Sequence, residues 1–105
     1  MTYKEFWPLY LGGHADRRTR AVHYCGTGAA LAALAFGLAR GDWRWLAAAP
    51  AIGYAPAWFG HLVFERNRPQ TFSHPLWSLY SDLRMLTLFL SGRLGAELRR
   101  AGIAR

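Results

Sequence analysis

The sequence predicts an all-α protein: a small integral membrane helical bundle built on a two-helix transmembrane hairpin, with an N-terminal and a C-terminal interfacial helix. Three observations predict it. Two uncharged apolar runs of nineteen and twenty residues occupy positions 21–39 and 45–64. Only the five residues "RGDWR" join them. Of thirteen basic residues, just two, Arg40 and Arg44, lie in that connection, where Asp42 offsets them.

The first element is "YKEFWPLYL", a short aromatic-rich stretch of the kind that settles at a membrane interface. The N-terminal "MTYKEFWPLY" has no long apolar core and no small-residue cleavage site, so it does not read as a signal peptide. The first span is "AVHYCGTGAALAALAFGLA". The second is "WLAAAPAIGYAPAWFGHLVF". A helix needs about 20 residues, at roughly 1.5 Å each, to cross the hydrocarbon core. Gly26 with Ala30, and Gly28 with Ala32, are small-xxx-small pairs that let helices approach closely. Pro50 and Pro56 are tolerated in a membrane helix packed on a neighbour. A soluble bundle would need a polar face on each run, and neither run has one. The last segment, "HPLWSLYSDLRMLTLFLSGRLGAELRR", reads as one long helix starting after Pro75. Leu76, Leu79, Leu83, Leu86, Leu90 and Leu94 recur at helical spacing and read as a packing stripe.

The chain has 105 residues and reads as a single domain, 1–105. Its net charge of +7 suits either nucleic acid or a membrane. Charge placement favours the membrane. Lys4, Arg17, Arg18 and Arg20 precede the first span, and Arg66, Arg68, Arg84, Arg93, Arg99, Arg100 and Arg105 follow the second. By the positive-inside rule both termini are cytoplasmic and the connection is outside. No zinc-finger, RNP or helix-turn-helix pattern supports a nucleic-acid partner. The lone Cys25 excludes an internal disulfide and reads as a small core residue.

The histidines carry the chemistry. His23 lies nineteen residues before Asp42 and His61 nineteen after it. In an antiparallel hairpin, equal distance from the turn means equal depth. Both imidazoles therefore belong at the cytosolic end. His14 and His74 return to the same end across the charged links "ADRRTR" and "RNRPQTFS". Four imidazoles converging at one depth suggest a divalent transition metal. Glu65, four residues after His61, shares its helical face as a ligand, a general base or a partner orienting His61. Asp82 is a further candidate for holding a ligand in place. Arg66 and Arg68 could attract an anionic head group. No HExxH, CxxC or GxSxG occurs.

Tyr10, His14 and His23, followed by "GH..FE..RP" from Gly60 to Pro69, resemble the Mpo-like family of small membrane proteins. The string "RPQTFSHPLWSLYSDLRM" resembles its bacterial branch. The resemblance implies an iron(II)-dependent dioxygenase that shortens 2-hydroxy fatty acids by one carbon, using O₂. It implies His14, His23 and His61 as motif ligands, with His74 outside the general pattern and Tyr10 in a supporting role. It implies a location in the membrane, the bacterial inner membrane, with a lipid or fatty acid as substrate. The alternatives are a zinc-dependent lipid enzyme and a non-catalytic hairpin that binds anionic lipid or a partner membrane protein.

Overall fold

The computed structural model describes residues 1–103; Arg105, counted above in the C-terminal flank, lies outside them. Five α-helices and two short irregular turns make up the described chain, with no strand among the described residues.

Helix α1 (Tyr3–Gly12) opens with a capping box. The Glu5 N–H donates to the Thr2 hydroxyl, and the Thr2 N–H donates to the Glu5 carboxylate at 3.0 Å. These bonds satisfy orphan donors of the first turn. Helix α2 (Arg17–Arg40) is capped by Asp16, which accepts from the Arg18 N–H at 2.8 Å. It stops at Gly41, whose φ of 63° is left-handed and favours glycine. Asp42 at once caps helix α3 (Trp43–Gly60) by accepting from the Arg44 N–H. The connection is therefore Gly41-Asp42, tighter than the five residues expected.

Helices α2 and α3 pack antiparallel, as expected of the hairpin. Gly60 lies against Val22 and Thr19, Gly26 against Gly53 and Pro56, and Gly37 against Trp45 and Leu46. A Cβ on Gly26 would sit 2.7 Å from the Gly53 carbonyl oxygen, so the backbones approach as closely as two small residues allow. Of the two small-residue pairs in the sequence, Gly26–Ala30 lies at this seam. Gly28 faces open space.

The second expected span is shorter than its apolar run. Helix α3 ends at Gly60, and His61–Glu65 form a π-helical turn. Arg66, at φ 56°, stops that turn. A short 3₁₀ turn, Gln70–Phe72, leads into α4 (Pro75–Leu90), with Pro75 in its first turn. The single long C-terminal helix expected from the sequence is broken. Gly92, at φ 75°, turns the chain, and α5 (Leu94–Arg100) follows.

Among the described residues, α2 alone is long and apolar enough to cross a membrane. Only 22% of its apolar window is buried within the protein, unlike the core helix of a soluble domain. Helix α3 falls short because Arg44 and two prolines interrupt its eighteen residues and the π turn takes His61 to Phe64.

The core lies beside the hairpin. Phe6, Trp7, Tyr10 and Leu11 of α1 pack on Met85 of α4 and on Leu94 and Leu98 of α5. The aromatic residues of α1 are thus buried against protein. The Trp7 indole N–H donates to Glu97 at 2.9 Å, Arg84 lies 4.1 Å over the Trp7 ring, and the Tyr3 hydroxyl meets Ser81 at 2.8 Å. The leucine stripe divides. Leu94 enters the core, whereas Leu76, Leu79, Leu83 and Leu90 point outward. The buried face of α4 is instead Ser78, Ser81, Asp82 and Met85. Cys25 is likewise exposed and not a core residue, because the small residues beside it, not Cys25, face α3.

Candidate metal centre

Three helices bring His14, His23 and His61 together. His14 leaves the end of α1, His23 sits on the second turn of α2, and His61 opens the π turn after α3. Each is at most 4% exposed. One ring nitrogen from each lies within 4.8 Å of the other two. His23 and His61, at equal distance from the turn, have ring centroids 5.8 Å apart.

Each imidazole is held from outside by a hydrogen bond that fixes its tautomer. The His14 Nδ1–H donates to the Tyr10 carbonyl at 2.7 Å. The His61 Nδ1–H donates to the Asn67 side-chain oxygen at 2.8 Å, and the Asn67 amide N–H donates to the Gly13 carbonyl, which sets the amide's direction. The His23 Nε2–H donates to Asp82 at 2.8 Å. Asp82 also accepts from the Tyr10 hydroxyl. Burial above all, and then the adjacent Asp82 charge, raise the Tyr10 pKa well above its usual 10, so the phenol stays a donor. Burial first, then His23 and His61, hold His14 well below its usual 6.5, so it is neutral at pH 7.

With the outer nitrogens committed, the inner ones carry lone pairs. The His14 and His61 Nε2 atoms face each other at 3.0 Å. Two bare lone pairs at that distance repel, and a cation between them removes the conflict. The other His23 nitrogen, Nδ1, is buried with no partner among the described residues. An orphaned buried acceptor normally costs about 1–3 kcal/mol. These observations fit a metal ion held by three neutral imidazoles. A cavity of ≈ 10 Å³ adjoins them, lined also by Trp58, Pro69, Gln70 and Ser78. The Ser78 hydroxyl and the Trp58 indole N–H are two further buried groups without partners among the described residues.

The other residues expected at the site fall in different places. The structure does not bring His74 to the three imidazoles. It stacks on Trp77 at 5.2 Å, lies against Phe6 and precedes the first turn of α4. Glu65 does not orient His61; that partner is Asn67. The Glu65 carboxylate instead accepts from the Asp16 N–H, because the π turn swings it toward the start of α2. Arg66 and Arg68 are exposed, and Arg68 covers the Phe72 ring. Asp82 meets His23, and Tyr10 meets Asp82, beside the three imidazoles. Sequence reasoning missed Asn67, Ser78 and Trp58. Asn67 sits at an unassigned position inside the "GH..FE..RP" element, and nothing in the pattern marks it.

The fold and site define a helical-hairpin protein with a buried three-histidine centre at one end of the hairpin. A family model described as 2-hydroxy-palmitic acid dioxygenase Mpo1-like matches residues 1–94, and the chain belongs to this family. No curated protein and no solved structure matches the chain.

Proposed function

We propose that this protein is a membrane enzyme that holds iron(II) on His14, His23 and His61 and shortens 2-hydroxy fatty acids by one carbon. The convergence of three buried imidazole lone pairs, each fixed from behind by its own hydrogen bond, carries this reading. The family description supplies the substrate class. Iron bound there would supply the redox chemistry that lets O₂ cleave the C1–C2 bond of the substrate. Three protein ligands leave positions open for small molecules, as catalytic sites require.

The chain's own residues then have separate tasks. Asp82 accepts from His23 and raises its basicity, while Tyr10 keeps Asp82 in place. Asn67 and the Tyr10 carbonyl orient His61 and His14. Ser78 and Trp58, unpartnered at the cavity wall, are placed to donate to the oxygens of a carboxylate or hydroxyl head group. An apolar groove of ≈ 370 Å³ runs along the hairpin between Leu31, Leu34, Leu46, Ala49 and Leu83. It reaches Asp82, which also borders the histidine cavity, so an acyl chain in the groove would present its head group to the imidazoles. From His23 to Leu34 is about 16 Å of helix rise. That matches roughly 13 extended carbon–carbon bonds at about 1.2 Å each.

The exposed apolar faces of α2 and α4 favour a lipid surrounding. The arginine distribution favours cytoplasmic termini. The test is turnover of 2-hydroxypalmitate by the detergent-purified chain. The expected products, for each O₂ consumed, are a fatty acid one carbon shorter, CO₂ and water, and all are lost in His61→Ala. Turnover that is redox-silent, or supported equally by zinc, would overturn the iron reading.

A further inference from the structure

A further pocket opens beside the start of α2. Its volume is ≈ 370 Å³, and it lies between the first turns of α2 and the α4–α5 turn. Arg17, Arg20 and Tyr24 form one wall; Phe89, Leu94 and Leu98 form the other. No acidic side chain lines it among the described residues.

Arg20 is the anomaly. It is only 6% exposed, yet no carboxylate among the described residues lies within salt-bridge distance of its guanidinium. The nearest acid in sequence, Asp16, is paired with Arg18 at 2.8 Å. One Arg20 nitrogen donates to the His14 and Ala15 carbonyls at 2.8 and 2.9 Å. Neutral carbonyls satisfy donors but do not neutralise a buried charge. Beside it, the buried Tyr24 hydroxyl lies close to the Arg20 guanidinium but makes no well-aligned hydrogen bond among the described residues, and its ring is fixed by stacking on Phe89 at 4.2 Å. Arg17 adds a second cation at the mouth. A buried unneutralised guanidinium, the hydroxyl beside it and a second arginine are the complement of a tetrahedral oxyanion.

We propose that Arg17, Arg20 and Tyr24 bind the phosphate of an anionic phospholipid. The apolar wall decides between a lipid and a free anion. Phe89 and the two leucines would cover the glycerol and the first methylenes while the phosphate meets the arginines. Because Arg20 also holds the His14 carbonyl, the bound lipid would neutralise the cation that supports the histidine loop.

The test is native mass spectrometry of the full chain in non-ionic detergent, titrated with phosphatidylglycerol, phosphatidylcholine or inorganic phosphate. Phosphatidylglycerol should bind more tightly than phosphatidylcholine. Tyr24→Phe keeps the stack on Phe89, and with Arg17→Gln it should each weaken phosphatidylglycerol by about tenfold, the loss expected for one charge-assisted hydrogen bond. Arg99→Gln removes the same charge from the exposed face of α5 and should change binding by about twofold or less. Melting curves of each variant confirm that it is folded. Equal binding of the two lipids overturns the proposal. So does an Arg99→Gln effect as large as that of Arg17→Gln, which would mark diffuse attraction. Binding of inorganic phosphate alone, lost in Tyr24→Phe, would overturn the lipid as source.

Discussion

Asp82→Asn probes the arrangement at its most connected point. The carboxylate accepts from both the His23 imidazole N–H and the Tyr10 hydroxyl, and it is 8% exposed. Both donors meet the same oxygen, so an asparagine of the same shape can accept both through its amide oxygen but brings no negative charge. Both hydrogen bonds fall from charge-assisted strength, typically about 1.5–3 kcal/mol, to that of neutral ones, about 0.5–1.5 kcal/mol. His23 also loses the negative charge that raises its basicity as a ligand. Outer partners of this kind typically change metal affinity by about 10–100-fold, or about 1.4–2.8 kcal/mol. The expected result is a loss in that range, read by competing a calibrated chelator against the metal-loaded protein in detergent. Tyr10→Phe removes one donor and leaves the carboxylate on His23, so its loss should be smaller. Unchanged affinity in Asp82→Asn, or a loss no greater than that of Tyr10→Phe, would refute the orientation of His23 by this carboxylate.

Three further outcomes follow from the geometry. Gly26→Ala should lower the melting temperature, since the new Cβ meets the Gly53 carbonyl at 2.7 Å, an overpacking worth about 1–3 kcal/mol. Gly28→Ala, facing open space, should be neutral or stabilising by up to about 1 kcal/mol, and the reverse order would contradict the hairpin packing. His74→Ala should keep full metal stoichiometry, since His74 stacks on Trp77 outside the cluster; metal loss would return it to the ligand set. In metal-free protein, His14 stays neutral in the fold at pH values where an unfolded histidine, near 6.5, takes up a proton. Its contribution is then fully present above that value and lost as pH falls, by at most about 1.4 kcal/mol per pH unit for one group. A chemical-denaturation series from pH 7.5 to pH 5.5, values chosen to bracket roughly one unit either side of the free imidazole, checks the sign. Stability that rises on acidification would contradict a buried neutral His14.

The sequence carried the hairpin and its histidines because both follow from symmetry about a turn. Residues equidistant from Asp42 must share a depth, whatever the side-chain detail, and His23 and His61 do. The part that failed depends on contacts between distant segments. The apolar run through Phe64 gave no sign that the helix would stop at Gly60 and widen into a π turn, which turns Glu65 toward Asp16 and lets Asn67 reach His61. Arg20 read as one more positive-inside charge, although its burial sets it apart from Arg17 and Arg18 beside it. On α4, leucines at helical spacing suggested a packed face. The protein instead buries Ser78, Ser81 and Asp82, polar residues that serve the site, and leaves the leucines outward. In the lipid surrounding proposed for this chain, a hydrophobic stripe need not mark the protein core, because lipid can cover it.

The most direct test of the account is metal content and coordination in the full chain, purified in detergent without chelators and reloaded anaerobically with iron(II). X-ray absorption and elemental analysis should give one iron per chain with three imidazole scatterers. His14→Ala, His23→Ala and His61→Ala should each lose stoichiometric iron. Retention of one iron per chain in all three variants, or no stoichiometric metal in the intact protein, would contradict a centre built on these three histidines.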